Sequence, residues 1–294
     1  MRTGLAAFLV ILASALQADV LVGTWNLQWF PSGRAEHRAS PRVEAATIQD
    51  AAELVRTELA AHRRTNDHVI LFFQEMRDVT ACSNLVVEIG DKALSMASVS
   101  AFRDFDRRLG WQQEGIVTDL PVLEASFSYW RRSKKILPPR GFAYALLDGG
   151  EDGLIACYCV HLKSNYGATK PEMREANKVK RELAMEQIVA LTKKLSAPDG
   201  RMVSRIVVAG DFNTDPFGGK FEGEKTVSIL TAAAFVNCFE GMPLSERGTH
   251  PGNTRYPDST LDFIFHRGFK AQSNCGLSPA VPLSDHRMVW LRLK

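Results

Sequence analysis

Acidic, amide and histidine side chains interrupt the apolar runs of this sequence, almost always where a run ends or in the loop after it. They are Asn26 after DVLVGTW, Glu75 after HVILFFQ, His161 at the end of GLIACYCVH, Asp211, Asn213 and Asp215 after RIVVAG, Asp262 near the start of LDFIF, and Asp285 with His286 at the start of the last run. Carboxylate oxygens bind hard cations such as Mg²⁺, and a histidine beside a carboxylate transfers protons near neutral pH. Side chains on loops at one end of a rigid sheet converge on one pocket, so we expect these residues to form a single site.

The apolar runs are rich in β-branched and aromatic residues and are bounded by Gly, Pro, Asp or Asn, which predicts strands. The predicted strands are 19–25, 68–74, 125–132, 142–148, 153–163, 205–212, 261–267 and 286–294. Helical spacing of apolar residues predicts helices at 43–63, 79–89, 98–109, 171–195 and 226–236. Strand pairs without helices between them, mixed with strand-helix-strand units, favour an α+β sandwich of two sheets over a purely parallel sheet.

The composition is that of one ordinary globular domain. The chain has 294 residues, of which 45% are hydrophobic and 23% charged, which excludes a disordered tail, a collagen-like fibre and a disulfide-stapled miniprotein. The net charge of +3 is too small to identify a polyanionic partner.

The first 18 residues predict a secretory signal peptide. Arg2 is followed by an uncharged run up to Asp19, and small residues precede Asp19. The apolar core, 5–16, is shorter than the roughly 20 residues that span a bilayer. We therefore expect a signal peptide at 1–18, a single domain at 19–294 and a secreted or periplasmic location, with a buried or anchoring helix as the alternative.

Five cysteines would then meet an oxidising compartment, where disulfides persist. Cys157 and Cys159 are two residues apart on one strand, so they point in parallel and are poorly placed to pair with each other. Cys238 with Cys275 is the pairing that we expect. Zinc-type spacing of cysteine and histidine is absent from the sequence.

Six short segments contain the polar residues described above or their neighbours, in this order along the chain: TWNLQWF, FFQEM, VHLKSN, GDFNTDP, LDFIF and SDHRMVW. In this order and context they resemble the endonuclease/exonuclease/phosphatase superfamily, whose members look like deoxyribonuclease I. The resemblance runs from about Asp19 to the C-terminus. It implies a four-layer α/β/β/α sandwich of two packed β-sheets with outer helices, and hydrolysis of phosphodiesters or phosphomonoesters that depends on Mg²⁺, or on Mn²⁺ or Ca²⁺.

The resemblance implies a metal site and suits the residue types found here. Glu75 matches the principal metal ligand of the family, Asn26 would orient Glu75 or a metal-bound water, and Asp285 would face the metal or support the phosphate site. Gln28 departs from members that carry an acid two residues after this Asn, so we expect the metal to be held more loosely.

The catalytic roles follow the same resemblance. His286 would contact the attacking water or the phosphate, with Asp262 fixing its tautomer, and His161 would protonate the leaving oxygen. Asp211 and Asn213 would polarise water and donate to a phosphate oxygen, whereas Asp215 is better explained by an Asx-rich turn.

Substrate choice depends on the periphery of the site. Residues that could contact phosphates are Lys163, Ser164, Arg174, Lys178 and Arg181, and aromatic residues that could stack on bases are Trp29, Phe30 and Tyr166. A solvated helix face is the competing explanation of the basic stripe. The remaining histidines, His37, His62, His68, His250 and His266, match no motif, and we expect them to be structural or at the surface.

The sequence thus favours an exported, metal-dependent endonuclease that acts on DNA or RNA as a monomer. His161 and the signal peptide argue against an intracellular abasic-site repair enzyme. A phosphodiesterase or phosphatase acting on lipid or inositol phosphate head groups stays open, although we find no long apolar hairpin for stable membrane insertion. A catalytically dead binding module is disfavoured because the motifs are intact.

Overall fold

The computed structural model describes residues 18–34, 39–104, 106–193, 195–252, 254, 257–273 and 275–294. The predicted signal peptide, apart from Ala18, and His37 lie outside these residues. Among the described residues, no helix combines the length and the apolar character that a membrane crossing requires.

Strands and helices follow one another along the described chain in the order that the numbering gives. The strands are β1 (Val20–Phe30), β2 (His68–Met76), β3 (Ser95–Val99), β4 (Gln113–Thr118), β5 (Val122–Tyr129), β6 (Gly141–Asp148), β7 (Leu154–His161), β8 (Arg205–Asp211), β9 (Val236–Asn237), β10 (Asp262–Arg267), β11 (Gly276–Leu277) and β12 (Val289–Leu293). The helices are α1 (Pro41–His62), α2 (Val79–Ile89), α3 (Pro171–Leu191) and α4 (Thr226–Ala232).

The strands form two six-stranded sheets, ordered β11-β12-β1-β2-β4-β3 and β5-β6-β7-β8-β10-β9. β1 and β2 run parallel in the first sheet, and β7 and β8 run parallel in the second. β10 runs antiparallel to β8, so its first residue, Asp262, pairs with the last residue of β8, Asp211. The carboxyl ends of two parallel pairs and the start of β10 therefore supply the site.

Alternation along β1 shows how the layers pack. Val20 and Val22 belong to the core between the two sheets, whereas Leu21 belongs to a second core beneath α1 and α2. Met185 of α3 and Leu230 of α4 pack against the other sheet in the first core. The predicted four-layer α/β/β/α sandwich is confirmed.

All eight predicted strands and four of the five predicted helices are present, with bounds shifted by a few residues. The predicted helix 226–236 ends at Ala232, because Val236 pairs with His266 in the second sheet. β4 was not predicted, because its buried positions include Gln113, Glu114 and Thr118 and so disguise an internal strand as a polar segment.

The predicted helix at 98–109 is wrong. Residues 95–99 form β3, and the chain that follows is a loop folded around the buried side chain of Gln113. The Gln113 amide donates to the main-chain oxygens of Phe102 and Gly110, and its oxygen accepts from the Phe102 N–H at 2.8 Å. These side-chain contacts satisfy backbone groups that a helix would otherwise pair.

The five cysteines are buried free thiols, so the predicted Cys238–Cys275 disulfide is not formed in this structure. The two thiols are nevertheless neighbours: burial, together with a side-chain hydrogen bond to Cys238, holds the pKa of Cys275 well above its ordinary value. Cys238 and Cys275 are thus neighbours, as predicted, but the predicted disulfide between them is wrong.

Gly210 fixes the strand end that carries Asp211. Its φ of +146° is rarely adopted by residues with a side chain, and a Cβ there would lie 1.9 Å from the main-chain oxygen of Val160 on the neighbouring strand. Glycine thus lets β8 pair closely with β7 just before Asp211.

Candidate active site

Asn26 connects the two sheets at the centre of the polar cluster. Its amide nitrogen donates to Asp211 Oδ2 at 3.0 Å and to Glu75 Oε1 at 3.3 Å, so it holds one carboxylate from each sheet. Its oxygen accepts from the Gln28 N–H at 3.0 Å. Its main-chain oxygen accepts from the Ser284 hydroxyl at 2.7 Å, which ties the loop before β12 to the same point.

Glu75 and Asn213 both adopt left-handed backbone conformations, with φ of +60° and +51°. Such conformations cost of order 1 kcal/mol or more in residues with a side chain, and they concentrate at functional sites. Glu75 Oε2 accepts from the Trp29 N–H at 3.0 Å, which fixes the carboxylate at the end of β2. The local strain aims both side chains at the cluster.

Asp211 and Asn213 form a closed unit. The Asn213 N–H donates to Asp211 Oδ1 at 2.8 Å, and its amide nitrogen donates to Asp211 Oδ2 at 2.9 Å. Burial raises the pKa of Asp211 to about 7, and the negative charge of Asp262 adds to the rise. The positive charge of His286 opposes it. A buried carboxylate this close to others is poorly compensated without a cation.

Asp262 and His286 form the predicted pair. His286 Nδ1 lies 2.7 Å from Asp262 Oδ2, and His286 Nε2 lies 3.9 Å from Asp211 Oδ2. Burial disfavours the charged ring, but the surrounding carboxylates, Asp262 first, raise the pKa of His286 to about 10. The main-chain oxygen of His286 accepts from the Trp25 indole N–H at 3.0 Å, which fixes the position of the ring's backbone.

His161 lies between the carboxylates of both sheets. Its Nε2 is 3.6 Å from Glu75 Oε1 and 3.6 Å from Asp211 Oδ2. Burial lowers the pKa of His161 well below its ordinary value, and the charges of Arg140 and His286 lower it further. A lowered pKa leaves few His161 rings protonated near neutral pH, which weighs against the role of proton donor that the resemblance implies.

Asp285 is not placed beside Glu75 and Asn26, with which the sequence grouped it. Its side chain is 48% exposed, and it contacts His286 Nε2 at 3.8 Å and His250 Nε2 at 3.7 Å. We expected His250 to be structural or at the surface, and this contact with the site was not predicted. The His250 ring also packs edge-on against the His286 ring, with centroids 5.0 Å apart. The fragment THPG around His250 gives no motif that would have identified it.

Two further charged residues were missed, Glu114 and Arg140. The buried Glu114 carboxylate accepts from the main-chain N–H groups of Ala143 and His161, each at 3.0 Å. Burial raises its pKa well above the ordinary value, while Arg140 opposes the rise. Arg140 donates to the main-chain oxygens of His161 and Leu162 and brings positive charge near Glu75 and Asp211. The sequence carries no signal for Glu114, because β4 looks like a polar segment there.

The predicted phosphate contacts are only partly placed for that role. Lys163 Nζ donates to the Ser164 main-chain oxygen at 2.8 Å, and Arg174 donates to the Ala168 oxygen at 3.1 Å. The basic stripe on α3 is wrong as an exposed surface: Arg181 is buried and pairs with Glu224 at 2.6 Å, and Lys178 pairs with Glu175.

The predicted stacking residues and the Asx turn have different outcomes. Phe30 is fully buried in the core beneath α1 and α2, so it is not available to stack on a base. Tyr166 is 95% exposed, and Trp29 is partly exposed. Asp215 accepts from the Phe217 and Thr260 N–H groups, which agrees with its assignment to a turn.

Two cavities flank the cluster. We call the first the aromatic cavity; its volume is about 520 Å³, and its lining includes Trp29, Phe102, Trp111, Tyr129, Trp130 and Arg140. We call the second the loop cavity; its volume is about 750 Å³, and its lining includes Ser164, Tyr166, Arg174, Asn213, Phe221 and His250. Trp29 and Arg140 connect the first cavity to Glu75 and His161, and Asn213 and His250 connect the second to Asp211 and His286.

The oxygen-rich part of the cluster fits a hard divalent cation. Glu75 and Asp211 supply carboxylates from the two sheets, and Asn26 holds both of them in place. Mg²⁺ binds through one or two carboxylates and keeps several waters. The raised pKa of Asp211 marks negative charge that such a cation would stabilise.

Residues 164–286 match the model of the Endonuclease/Exonuclease/phosphatase family. No curated protein sequence matches the chain. Similar solved structures include an endonuclease/exonuclease/phosphatase from Beutenbergia cavernae (TM-score 0.61, 15% identity, 94% of this chain and 72% of that one). They also include D. rerio TDP2 complexed with a single-strand DNA product (0.57, 14%, 94% and 99%) and sphingomyelinase C from Streptomyces griseocarneus (0.56, 16%, 94% and 99%). At these identities the structural likeness establishes the fold and leaves the substrate open.

We predict that replacing Asp262 by Asn lowers the pKa of His286 by at least about 1, because a close carboxylate shifts a neighbouring pKa by about 1–3. The sign follows from charge: Asp262 stabilises the imidazolium, and burial opposes it whether or not Asp262 is present. NMR titration of the metal-free protein measures the shift. Asp199→Asn, the same change at an exposed site, is the control. An unchanged His286 pKa in Asp262→Asn would contradict the pairing.

Proposed function

We propose that the chain belongs to the endonuclease/exonuclease/phosphatase family of phosphoester hydrolases, whose model matches residues 164–286, and that it is an exported endonuclease that hydrolyses phosphodiester bonds of DNA or RNA with a divalent cation, Mg²⁺ or else Mn²⁺ or Ca²⁺. This proposal rests mainly on one observation: Glu75, Asn26, Asp211 and the Asp262–His286 pair lie together in one buried cluster where the two sheets meet. The cluster is complete without a residue from a second copy, and we propose a monomer as the acting unit.

Glu75 and Asp211 would hold the cation, with Asn26 orienting both carboxylates. When bound, the cation would polarise the phosphate and stabilise charge on the departing oxygen. The structure gives Asp285 a different neighbourhood, so we assign it to the phosphate side of His286 and not to this ligand set.

His286 and Asp262 would handle the proton of the attacking water. Asp262 accepts from Nδ1 and thereby leaves Nε2 directed at the side of Asp211, where the reacting phosphate would lie. His161 would position Glu75 and Asp211, and Asn213 would keep Asp211 in its orientation. Arg140 adds positive charge next to the carboxylates and lies in the wall of the aromatic cavity.

The two cavities favour a nucleic acid over a small head group. A polymer that crosses the cluster extends beyond the cleaved phosphate on both sides, and the protein offers a cavity on each side. Aromatic faces in protein grooves stack on bases whatever their sequence. Phe102 packs edge-on against Tyr129, and the Tyr129 hydroxyl accepts from the Arg103 N–H at 2.7 Å, so this wall is held in place before a strand binds.

Export is part of the proposal and is supported by the sequence of residues 1–18 alone. We expect the protein recovered outside the cytoplasm to begin near Asp19, because small residues precede that position. Mass spectrometry of the N-terminal peptide measures the start. A protein recovered outside the cytoplasm with its N-terminal 18 residues intact would argue for an anchoring helix instead.

We predict that the protein nicks plasmid DNA in Mg²⁺ and loses this activity in a chelator. Glu75→Gln and His286→Ala should each lower the rate by at least about 10²-fold, through loss of cation binding and of proton transfer. Asp199→Asn, an exposed carboxylate paired with Arg201, should leave the rate unchanged. Sphingomyelin and inositol phosphates are assayed in parallel. Intact DNA with turnover of one of these would assign the site to head-group hydrolysis.

We predict that Trp111→Ala raises KM for a single-stranded oligonucleotide at least about fivefold and changes kcat less than twofold, because one base stack contributes about 1–3 kcal/mol. Trp111 lines the aromatic cavity and is 46% exposed, so the change should leave folding intact. Trp111→Phe should restore most of the loss, and Val87→Ala on the exposed side of α2 is the control. A fall in kcat at constant KM would contradict a role in strand binding.

A further inference from the structure

His250, Asp285 and His286 form a second group of ligand atoms beside the oxygen-rich cluster. His250 Nε2 lies 3.7 Å from Asp285 Oδ2, and His286 Nε2 lies 3.8 Å from Asp285 Oδ1. One ligand atom from each of the three residues lies within 4.8 Å of the other two. Ligand atoms of a tetrahedral zinc site lie roughly 3.4 Å apart when the metal–ligand bonds are about 2.1 Å. Side-chain movements of a few tenths of an ångström to about 1 Å would close the group around an ion.

We propose that His250, Asp285 and His286 bind Zn²⁺, and that the bound ion inhibits the enzyme by occupying Nε2 of His286. Two imidazole nitrogens and one carboxylate oxygen are a ligand set that suits Zn²⁺. Mg²⁺ prefers oxygen ligands, which Glu75, Asp211 and Asn26 supply, and of these Asp211 Oδ2 lies 3.9 Å from the same His286 Nε2. The chemistry of the ligands thus separates the two ions.

The contacts around His286 are those of a zinc ligand. A metal-binding histidine commonly donates its other ring N–H to a carboxylate, which fixes the tautomer and the ring orientation. His286 Nδ1 makes this contact with Asp262 at 2.7 Å, so Nε2 is left to bind an ion. The His286 N–H also donates to the Ser284 hydroxyl at 3.0 Å, which holds the backbone of this ligand.

The backbone that carries His250 is fixed beside the other two ligands. The Arg287 N–H donates to the Thr249 oxygen at 2.7 Å, and the Thr249 hydroxyl accepts from the Asp262 N–H at 3.1 Å. His250 also pairs with Ser259 through two main-chain hydrogen bonds. The three ligands therefore belong to one connected piece of structure, and little ordering is required when an ion binds.

Solvent reaches this group at His250 and Asp285. The side chains of His250 and Asp285 are 35% and 48% exposed, whereas that of His286 is 8% exposed. An ion can thus enter past His250 and Asp285 and stop at His286. The inhibitory consequence depends on the proposed role of His286 in hydrolysis, but binding of the ion does not.

Binding is tested on the full mature chain in Mg²⁺ buffer, with Co²⁺ as a visible probe of Zn²⁺ sites and with Zn²⁺ by calorimetry. We expect one ion per chain, with a Co²⁺ spectrum typical of mixed nitrogen and oxygen ligands. His250→Gln should weaken binding at least tenfold. His68→Gln, at the opposite end of β2 from Glu75, should leave binding unchanged. Equal binding by His250→Gln and the unaltered protein would overturn the site. Loss of binding in Glu75→Gln with retention in His250→Gln would place the ion in the oxygen-rich cluster and overturn it as well.

Inhibition is tested on plasmid nicking at constant Mg²⁺, with each variant compared with its own rate without Zn²⁺. The Zn²⁺ concentration that halves the rate should rise at least tenfold in His250→Gln and stay constant in His68→Gln. An unshifted concentration in His250→Gln, or activation by Zn²⁺, would overturn the inhibitory role. If the protein does not cleave DNA at all, the nuclease proposal fails, and the Co²⁺ spectrum still decides whether the site exists.

Discussion

The structure depends on keeping carboxylates of two different sheets together in a buried place. Glu75 ends a strand of the first sheet and Asp211 ends a strand of the second, and Asn26 donates to both. Like charges in a poorly solvated place repel each other unless donors or cations compensate them. An amide can donate twice without adding charge, which leaves the net negative potential that attracts a cation. The packing of the sheets and the proposed binding of a cation would therefore be parts of one electrostatic arrangement.

Glu114 and Arg140 show how the protein compensates charge behind that arrangement. Glu114 extends from the first sheet to accept from the backbone of β6 and β7 in the second, while Arg140 donates to main-chain oxygens at the end of β7. Both thereby fix the position of His161, which lies at that strand end. Arg140 also lowers the pKa of His161, because its positive charge disfavours a second cation nearby. The state of one histidine is thus set by residues of both sheets.

The sequence predicts the parts of the site that lie at strand ends, because a polar residue after an apolar run marks the edge of a sheet. Asp262 and His286 are 24 residues apart, yet their pairing follows from the family motifs. His250 could not be found in this way, because its contact with His286 comes from two loops that hydrogen bonds hold together. The stacking role predicted for Phe30 was wrong for a related reason: Phe30 packs in the core beneath α1 and α2, and the sequence does not show that these helices cover the end of β1.

His286 is the residue on which two kinds of chemistry compete. Asp262, Asp211 and Asp285 surround it and raise its pKa, and the same negative charges that favour a proton on Nε2 favour a metal dication there. In the proposed mechanism this nitrogen exchanges a proton with water, so a metal ion bound tightly to the same atom would oppose catalysis. With carboxylates at Glu75 and Asp211 for the proposed Mg²⁺ and a mixed nitrogen and oxygen set at His250, Asp285 and His286 for the proposed Zn²⁺, the working cation would not need Nε2 of His286 as a ligand. The identity of the metal ion, more than its charge, would then decide whether the site works.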